Sequence, residues 1–309
     1  SDTTAYFLTY YQVSSNGKRM ATHNPFTGPP VDAYHLNEQL NLFTNEYSQG
    51  TTIANYASFT TFDVGEGFTG SRIIENTSPV KDIMLSGIDQ TVVSGPQPQL
   101  QLLLVGRNYT NHNITIEVGP SAGSLSVLNT YTFGLFNTLL IDESIAWSNV
   151  SGSGELVVRV IQNDNGDNSI NSNISVSFAK LVYAQDFDMG SAPSKKYYLQ
   201  TKGSGGDNIQ ITNTPANANV YDVTDPDNVH KVIDTEINPN TVKCGFADAT
   251  SSRILLVIDP NPLEPEVEPV LFRAMDTSAD YIVISHQSLM KPAGGFSDAV
   301  RAYAGYRSS

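Results

Sequence analysis

Cysteine is almost absent from the 309-residue chain, where Cys244 is the single example. One thiol cannot form an intramolecular disulfide, so no disulfide framework stabilises the fold. Such low cysteine content is compatible with a reducing compartment, and equally with a bacterial envelope protein that does not rely on disulfides.

Basic residues and long apolar runs are also scarce. Lys and Arg number 17 against 31 Asp and Glu, which gives a formal net charge of −14. Binding to nucleic acid needs clustered basic side chains, and the sequence has no such cluster, so nucleic acid is not an expected partner. No apolar run approaches the ~20 residues of a membrane-spanning helix, so no transmembrane segment is expected. No secretory signal is visible at Ser1, so an exported protein would have lost its signal before this residue.

Short segments that alternate apolar and polar residues are abundant and predict β-strands separated by polar turns. Their spacing in residues 1–188 predicts a β-sandwich or jelly-roll domain. The strands predicted in this domain are Tyr6–Val13, Phe59–Val64, Ile83–Ile88, Leu100–Val105, Ile114–Val118, Leu156–Ile161 and Ile174–Tyr183.

A smaller β domain is predicted over residues 195–260, after a small, polar, proline-containing boundary at 189–194. A linker is predicted at 261–278, because prolines stiffen this region and glutamates keep it solvated. The strands predicted in the smaller domain are Lys196–Thr201, Asn208–Thr212, Ala218–Val223 and Arg253–Ile258.

Residues 279–309 have the pattern of the start of an α/β domain. The apolar run Tyr281–Ile284 predicts a buried strand, and Phe296, Ala299, Val300 and Tyr303 have the spacing of an apolar helix face. A strand followed by a helix typically opens an α/β domain. One such unit cannot bury its own core, so the sequence predicts a truncated α/β domain after two β domains.

Several elements also occur in a characteristic order along the chain. Tyr6–Thr9 is followed by Gly17–Met20 and by the glycine-rich Asp63–Gly70; Tyr221–Pro226 contains Asp-Val-Thr-Asp-Pro, and Ala279–His286 precedes Ala299–Arg307. In this order they resemble the N-terminal part of the gingipain-type cysteine peptidases, especially the sortase branch of the type IX secretion system. The resemblance implies that 279–309 begin a caspase-like peptidase domain.

The resemblance also implies a function. In that family a His and a Cys at the ends of later α/β strands cleave peptide bonds through a thioester, and no residue of this chain matches that motif. The catalytic pair is therefore expected beyond residue 309, and the chain is expected to be a non-catalytic module without a cofactor. The implied location is the bacterial cell surface, the outer membrane or the medium. The implied partners are protein substrates or outer-membrane components of the secretion system.

Two other functions are compatible with the sequence. A carbohydrate- or protein-binding β-sandwich without catalytic activity is the main alternative, because jelly rolls bind glycans on aromatic platforms. The chain has 15 Tyr and 13 Phe for such a platform, but only one Trp, Trp147. A structural surface adhesin would share the same fold and stays open.

Cys244 and His286 are the residues that most invite a catalytic interpretation. A nucleophilic thiolate needs a nearby base or positive dipole, whereas Cys244 has apolar neighbours, so a buried structural cysteine is the favoured interpretation. His286 follows the predicted strand, and a structural or loop-orienting role is favoured. The other four histidines lie in turn-rich sequence without ligand spacing, so no zinc site is predicted; they are His23, His35, His112 and His230.

The loop 163–173 is rich in oxygen ligands of the kind that calcium binds, and Asp164 and Asp167 are the candidate calcium ligands. The run lacks the distal Glu and the register of a calcium loop, and Asn and Gly are common in turns. A hairpin turn is therefore favoured over a calcium site. Asp63–Gly70 lacks the helix and Lys of a phosphate-binding loop, so a tight bend is favoured there.

Overall fold

Alternating apolar residues place about half of the described chain in β-strands. The computed structural model describes residues 20–26, 28, 31–48, 67–166, 169–190, 192–203, 205–233, 238–261 and 281–308, and the chain divides into two units, 1–262 and 263–309. The described strands of the first unit are β1 (Ala21–Thr22), β2 (His35–Leu42), β3 (Glu46–Ser48), β4 (Gly67–Thr69), β5 (Ile73–Ile74), β6 (Val80–Ser86), β7 (Gln99–Gly106), β8 (Asn111–Ser121), β9 (Ser124–Gly134), β10 (Thr138–Ser144), β11 (Glu155–Asn163), β12 (Asn173–Gln185), β13 (Ser194–Leu199), β14 (Asp207–Thr212), β15 (Asn219–Asp222), β16 (His230–Val232), β17 (Thr241–Phe246) and β18 (Arg253–Ile258). A short 3-10 helix, Trp147–Asn149, lies between β10 and β11.

Strands β2 to β12 form a β-sandwich, which we call the first module. Sheet I has the order β10-β7-β12-β2, with β5 pairing beside β12, and sheet II has the order β6-β11-β8-β9. From β5 to β12 the chain alternates between the two sheets, except for the β8–β9 hairpin, as in jelly-roll architectures. The inward-facing residues of both sheets form one core that includes Leu102, Ile116 and Val158, which are fully buried. The predicted mainly β sandwich is therefore confirmed.

A second module follows, built from sheet III (β1-β16-β15-β18-β13) and the two-stranded sheet IV (β14-β17). Its core includes Tyr197, Ile209, Val242 and Leu255. Phe187 and Met189, which follow β12, are buried in this core. The start of the connection between β12 and β13, which was predicted as a polar boundary, is therefore held in the second module. The prediction of a smaller β structure in this part of the chain is confirmed, while the domain bounds stay a prediction.

Ala21, Thr22 and Asp32, which precede β2, hydrogen-bond with the second module. β1 pairs in parallel with β16, with Ala21 opposite His230, and the backbone amide of Asp32 donates to Asn208 O at 2.8 Å. The chain then enters sheet I at His35. This crossing was not predicted, because two residues of strand carry no sequence pattern of their own.

Most of the predicted strands are confirmed with bounds shifted by a few residues; they correspond to β6, β7, β8, β11, β12, β13, β14, β15 and β18. The predicted strands Tyr6–Val13 and Phe59–Val64, and the start of the glycine-rich element at 63–66, lie outside the described residues. The strands that the sequence did not predict are β1, β2, β3, β4, β5, β9, β10, β16 and β17.

The described part of the second unit contains the helix α1 (Ala299–Arg307), which confirms the predicted C-terminal helix. Phe296 was wrongly placed on this helix: the Asp298 side chain accepts from the Arg301 amide at 3.0 Å and caps the helix after Phe296. The predicted strand Tyr281–Ile284 is also wrong, since residues 281–286 have no strand partner among the described residues. An extended apolar run becomes a strand only where another segment supplies backbone partners. A 3-10 turn at Gln287–Leu289 follows.

Candidate functional site

A cleft of about 230 Å³ lies where the two modules of the first unit meet, and we call it the junction cleft. It is lined by the segment 32–36 that enters β2, by Phe187 at the end of the first module, by residues 199–202 after β13, and by Asp207 at the start of β14. The cleft arises because the chain crosses between the modules at both 32–36 and 186–194. The lining residues are thus far apart in sequence.

One ammonium group bridges two carboxylates in the junction cleft. Lys202 Nζ lies 2.5 Å from Asp32 Oδ1 and 2.9 Å from Asp207 Oδ1. Burial opposes charge on Lys202, but hydrogen bonds with Asp32 and Asp207 outweigh it and raise the pKa of Lys202. The second oxygen of Asp207, Oδ2, is buried and has no hydrogen-bond partner among the described residues, and Asp207 is only 1% exposed. The three groups together have a net charge of −1.

His35 forms the buried wall of the same cleft. Its side chain is 2% exposed, and its ring lies 5.2 Å from the Phe187 ring and 4.9 Å from the Tyr197 ring. The ring nitrogens make no hydrogen bond of good geometry among the described residues, although the Leu36 backbone and the Gln185 side chain lie close enough to favour the protonated ring. Burial, aided by the positive charge of Lys195, lowers the pKa of His35 to about 4 despite small opposing effects of Leu36 and Gln185. His35 is therefore neutral near pH 7 and can accept one hydrogen bond and donate another.

Lys195 lies against the ring of Tyr197, which contacts His35, and it connects the two modules. Its Nζ donates to Gln90 Oε1 at 2.9 Å and to Asp188 O at 2.7 Å, and it lies 5.4 Å from the centre of the Tyr197 ring. Burial lowers the pKa of Lys195, while nearby aspartates partly oppose the shift. Gln90 belongs to the first module and Lys195 to the second, so these contacts help fix the width of the cleft.

A second polar cluster, centred on Asp222, explains the Asp-Val-Thr-Asp-Pro element. Asp222 Oδ1 accepts from the Thr224 amide at 3.1 Å and from Thr224 Oγ1 at 2.5 Å, while Oδ2 contacts His23 Nε2 and Arg253 Nη1, each at 3.0 Å. Thr224 Oγ1 in turn accepts from the Ile254 amide at 2.9 Å. Burial would raise the pKa of Asp222, but these hydrogen bonds outweigh it and lower the pKa. The element thus ties β1, β15 and β18 together and has a structural role.

The predicted hairpin at 163–173 is wrong. The segment joins β11 of sheet II to β12 of sheet I, so it crosses between sheets instead of connecting paired neighbours. Glu75, which is buried, closes the loop by accepting from the Asn165 amide at 3.2 Å and the Ser172 amide at 2.8 Å. The sequence signal for this loop was its turn composition, which does not specify the partner strand.

The calcium hypothesis for this loop remains a prediction. Asp164 Oδ1 accepts from the Gly166 amide at 2.7 Å, which is the geometry of a local turn. Asp167 lies outside the described residues. Among the described residues, no group of three or more His, Cys, Asp or Glu side chains is placed to hold a metal ion.

Cys244 and His112 are not among the described residues that line the junction cleft. Cys244 lies on β17 with its Cα opposite Ile209 of β14, and it is 1% exposed within the second core. His112 is fully buried, with Nδ1 2.7 Å from Ser172 Oγ and Nε2 donating to Leu135 O at 2.7 Å. His286 is exposed in the second unit. Cys244 and His112 thus lie in different modules of the first unit.

Sequence reasoning missed the junction cleft altogether. Asp32, His35, Lys202 and Asp207 have no shared motif, and only the fold brings them together. The weak signal was Lys202-Gly203, a charged residue next to a turn-forming glycine, just after the predicted strand Lys196–Thr201.

Comparison with solved structures shows that the chain shares its fold with part of a larger protein. Most of the chain, 78%, aligns with the dimeric latent PorU from Porphyromonas gingivalis with a TM-score of 0.55 and 10% sequence identity, and it spans 22% of the length of PorU. At this identity the likeness shows the fold alone: the chain shares the fold of part of PorU.

Two weaker likenesses have TM-scores too low to support an argument. They are the CBM36-1 domain of a multidomain xylanase from the hindgut metagenome of Trinervitermes trinervoides (TM-score 0.27, 12% identity, 47% of this chain and 96% of that one) and a secreted protein from Parabacteroides distasonis (TM-score 0.25, 10% identity, 75% and 84%). No protein-family model matches the sequence. No curated protein matches it either. Within the described residues, no helix is both long and apolar enough to cross a membrane.

Proposed function

We propose that the chain is a non-catalytic, β-rich module of a gingipain-type cysteine peptidase or sortase that acts in type IX protein secretion. The observation that carries the proposal is the fold shared with part of PorU over 78% of the chain. The order of the sequence elements that resemble this family supports it independently. In this proposal the protein works outside the cell or at the cell surface, and its partners are protein substrates or outer-membrane components of the secretion system.

The module would position a catalytic domain or dock its partners, and would not cleave peptide bonds itself. Cys244 is the only thiol of the chain. It lies on β17, opposite Ile209 of β14, and is buried in the core of the second module. A nucleophilic Cys must reach its substrate and must share a proton with a base. The proposal therefore assigns the Cys–His pair that forms the thioester to residues outside these 309.

Cys244 labelling tests the non-catalytic role. We expect the folded chain to leave fluorogenic peptides intact, and Cys244 to react with iodoacetamide at least about a hundredfold more slowly than in urea, because the thiol is exposed only when the core opens. The rate is followed by mass spectrometry.

The matched control removes Cys244 and places a thiol on the exposed side of the neighbouring strand, as Cys244→Ala with Gln210→Cys. This thiol should react at the rate of a free thiol in the folded chain. Equally fast labelling of native Cys244, or peptide hydrolysis that is lost in Cys244→Ala, would contradict the non-catalytic role.

The gene provides a direct test of the family assignment. The nucleotide sequence downstream of the Ser309 codon should encode further α/β strands, one that ends in His-Gly and a later one that ends in a small residue before Cys. A stop codon directly after Ser309 would count against the proposal.

A binding β-sandwich is the second candidate, and two surface features favour it. Tyr47 and Phe68 on the β3–β4 ribbon are exposed and contact each other edge to face at 5.2 Å. On the outer face of sheet I, cross-strand pairing aligns Leu140, Leu103, Phe178 and Leu42 in one apolar row. Exposed aromatic and aliphatic side chains of this kind bind glycans or protein partners.

A glycan array separates the second candidate from the first. If the chain is a carbohydrate-binding module, the array gives a specific hit, and Tyr47→Ala with Phe68→Ala removes it because the aromatic platform is lost. The apolar-row variant Leu140→Ser serves as the control and should leave the hit unchanged. An array without a specific hit would reject carbohydrate binding.

A further inference from the structure

The backbone of β9 is open along one side of sheet II. β9 is the last strand in the order β6-β11-β8-β9, so within the described residues only its β8 side pairs with another strand. None of its residues is buried, and with 11 residues it is about twice as long as a typical strand. An unpaired edge of this length presents a row of backbone N–H and C=O groups that can pair with another polypeptide.

The contacts of Thr130 show which backbone groups of β9 point outward. Its amide donates to Asn129 Oδ1 at 2.8 Å, and its Cα lies opposite Thr115 of β8. In an antiparallel ladder, alternate residues direct both backbone groups toward the neighbouring strand, and the residues between them direct both groups away. The register is regular from Asn129 to Gly134, so Thr132 also points outward, and its amide has no backbone partner among the described residues.

The other three edge strands of the first module contain charged side chains, and β9 contains none. The charged residues of β6, β10 and β2 are, respectively, Lys81 and Asp82, Asp142 and Glu143, and Glu38. Charges on an edge strand discourage pairing with a foreign strand. A bulge at Leu128 limits the regular part of β9 to Asn129–Gly134. We therefore take Asn129–Gly134, which we call the open edge, as the part of the sandwich that is suited to pairing.

The charge around the open edge selects the partner. Glu143 of β10 lies beside it, since its Oε1 accepts from Tyr131 Oη at 2.7 Å and from Asn129 Nδ2 at 3.3 Å. Glu117 of β8 adds a carboxylate whose nearest cation, Arg159, is 3.9 Å away. Strands β8, β9 and β10 contain no Lys or Arg. A second copy of the chain would bring the same carboxylates and its own net charge of −14, so a basic partner is favoured.

We propose that the open edge binds an extended segment of another polypeptide that contains lysine or arginine, as an added strand of sheet II. The outward backbone groups of Thr130 and Thr132 form the main-chain hydrogen bonds that supply affinity in this mode of recognition. A basic side chain of the segment pairs with Glu143. This inference does not depend on the proposed role in protein secretion, because it rests on the edge of the sandwich alone.

The test uses a fluorescein-labelled heptapeptide in which Lys alternates with Thr, titrated into the full chain and followed by fluorescence anisotropy. A second peptide has Glu in place of each Lys, and a third has the Lys sequence with every backbone amide N-methylated. We expect saturable binding of the Lys peptide, at least tenfold weaker binding of the Glu peptide, and no binding of the methylated peptide. Hydrogen exchange of the Thr132 amide should slow on binding, because this N–H gains an acceptor.

Variants of the chain test the same contacts from the other side. Thr132→Pro removes the outward donor, which proline can do on an edge strand without breaking the ladder, and should weaken binding of the Lys peptide at least tenfold. The matched control, Thr132→Val, keeps the N–H and should leave the affinity unchanged. Glu143→Gln should reduce the preference for the Lys peptide over the Glu peptide at least threefold. The methylated peptide tests strand pairing on the native chain if Thr132→Pro fails to fold.

Four results would overturn the proposal. Absence of saturable binding of the Lys peptide would remove the site, and equal binding of the methylated peptide, or by folded Thr132→Pro, would show that no strand is added. Equal or tighter binding of the Glu peptide would reject a basic partner. Dimerisation of the unliganded chain in analytical ultracentrifugation that Thr132→Pro abolishes would assign the open edge to a second copy instead.

Discussion

Replacing Asp222 with alanine is expected to lower the free energy of unfolding by about 3–5 kcal/mol, which is the usual result of removing one partner from a buried ion pair. Asp222 is only 5% exposed, and its two oxygens together accept hydrogen bonds from Thr224, His23 and Arg253. Without the carboxylate, Arg253 keeps its charge in a partly buried position, where its guanidinium lies 4.6 Å from the centre of the Phe246 ring. Urea unfolding followed by circular dichroism measures the loss.

The control for this variant is Asp225, which belongs to the same Asp-Val-Thr-Asp-Pro element as Asp222. Asp225 is exposed, and its Oδ1 accepts only a local hydrogen bond from the Asp227 amide at 3.0 Å among the contacts described. Asp225→Ala should therefore cost less than about 1 kcal/mol, as surface substitutions do. Similar losses in the two variants would contradict the structural role assigned to Asp222.

Acidification from about pH 6.5 to pH 4 is expected to reduce the free energy of unfolding by about 3 kcal/mol through His35 alone. The pKa of His35 is lowered from 6.5 to about 4 in the folded chain. Above pH 6.5 the imidazole is neutral in both states and has no effect on stability. Between 6.5 and 4 the unfolded chain binds a proton that the folded chain excludes, so stability falls as the pH falls.

His35→Phe removes this titration while keeping a ring against Phe187 and Tyr197. The variant should lose stability less steeply than the native chain between pH 6.5 and 4, as measured by urea unfolding at a series of pH values. Asp222 does not confuse the comparison, because its pKa is lowered from 3.8 and its contribution disappears only below that pH. Parallel pH profiles of the two proteins would show that His35 is not buried as described.

The elements that the sequence predicted well are those whose two faces differ. Ile114, Ile116 and Val118 of β8 are buried while the residues between them are partly exposed, and the alternation was visible in the letters alone. β9 escaped prediction because it is the edge strand of sheet II, and none of its residues Ser124–Gly134 is buried. β17 escaped because Lys243 and Gly245, on either side of Cys244, are residue types that are depleted in strands.

The functional features were harder to predict than the strands. The junction cleft depends on Asp32, His35, Lys202 and Asp207, which are brought together only by two crossings of the chain between modules. Buried atoms without partners have no sequence signature. The prediction at Tyr281–Ile284 failed in the opposite way, because a strand was predicted that the structure does not contain among its described residues. A strongly apolar segment indicates burial, but it does not show whether another strand pairs with it.

The parallel pairing of β1 with β16 has a consequence for biosynthesis. Ala21 leaves the ribosome early, whereas its partner His230 emerges only after the whole first module has been synthesised. Domains commonly fold as units during translation, from the N-terminal end onward. Ala21 and Thr22 therefore lack their partner strand while the first module folds, and proteolysis of nascent chains should cleave beside them until β16 has been synthesised.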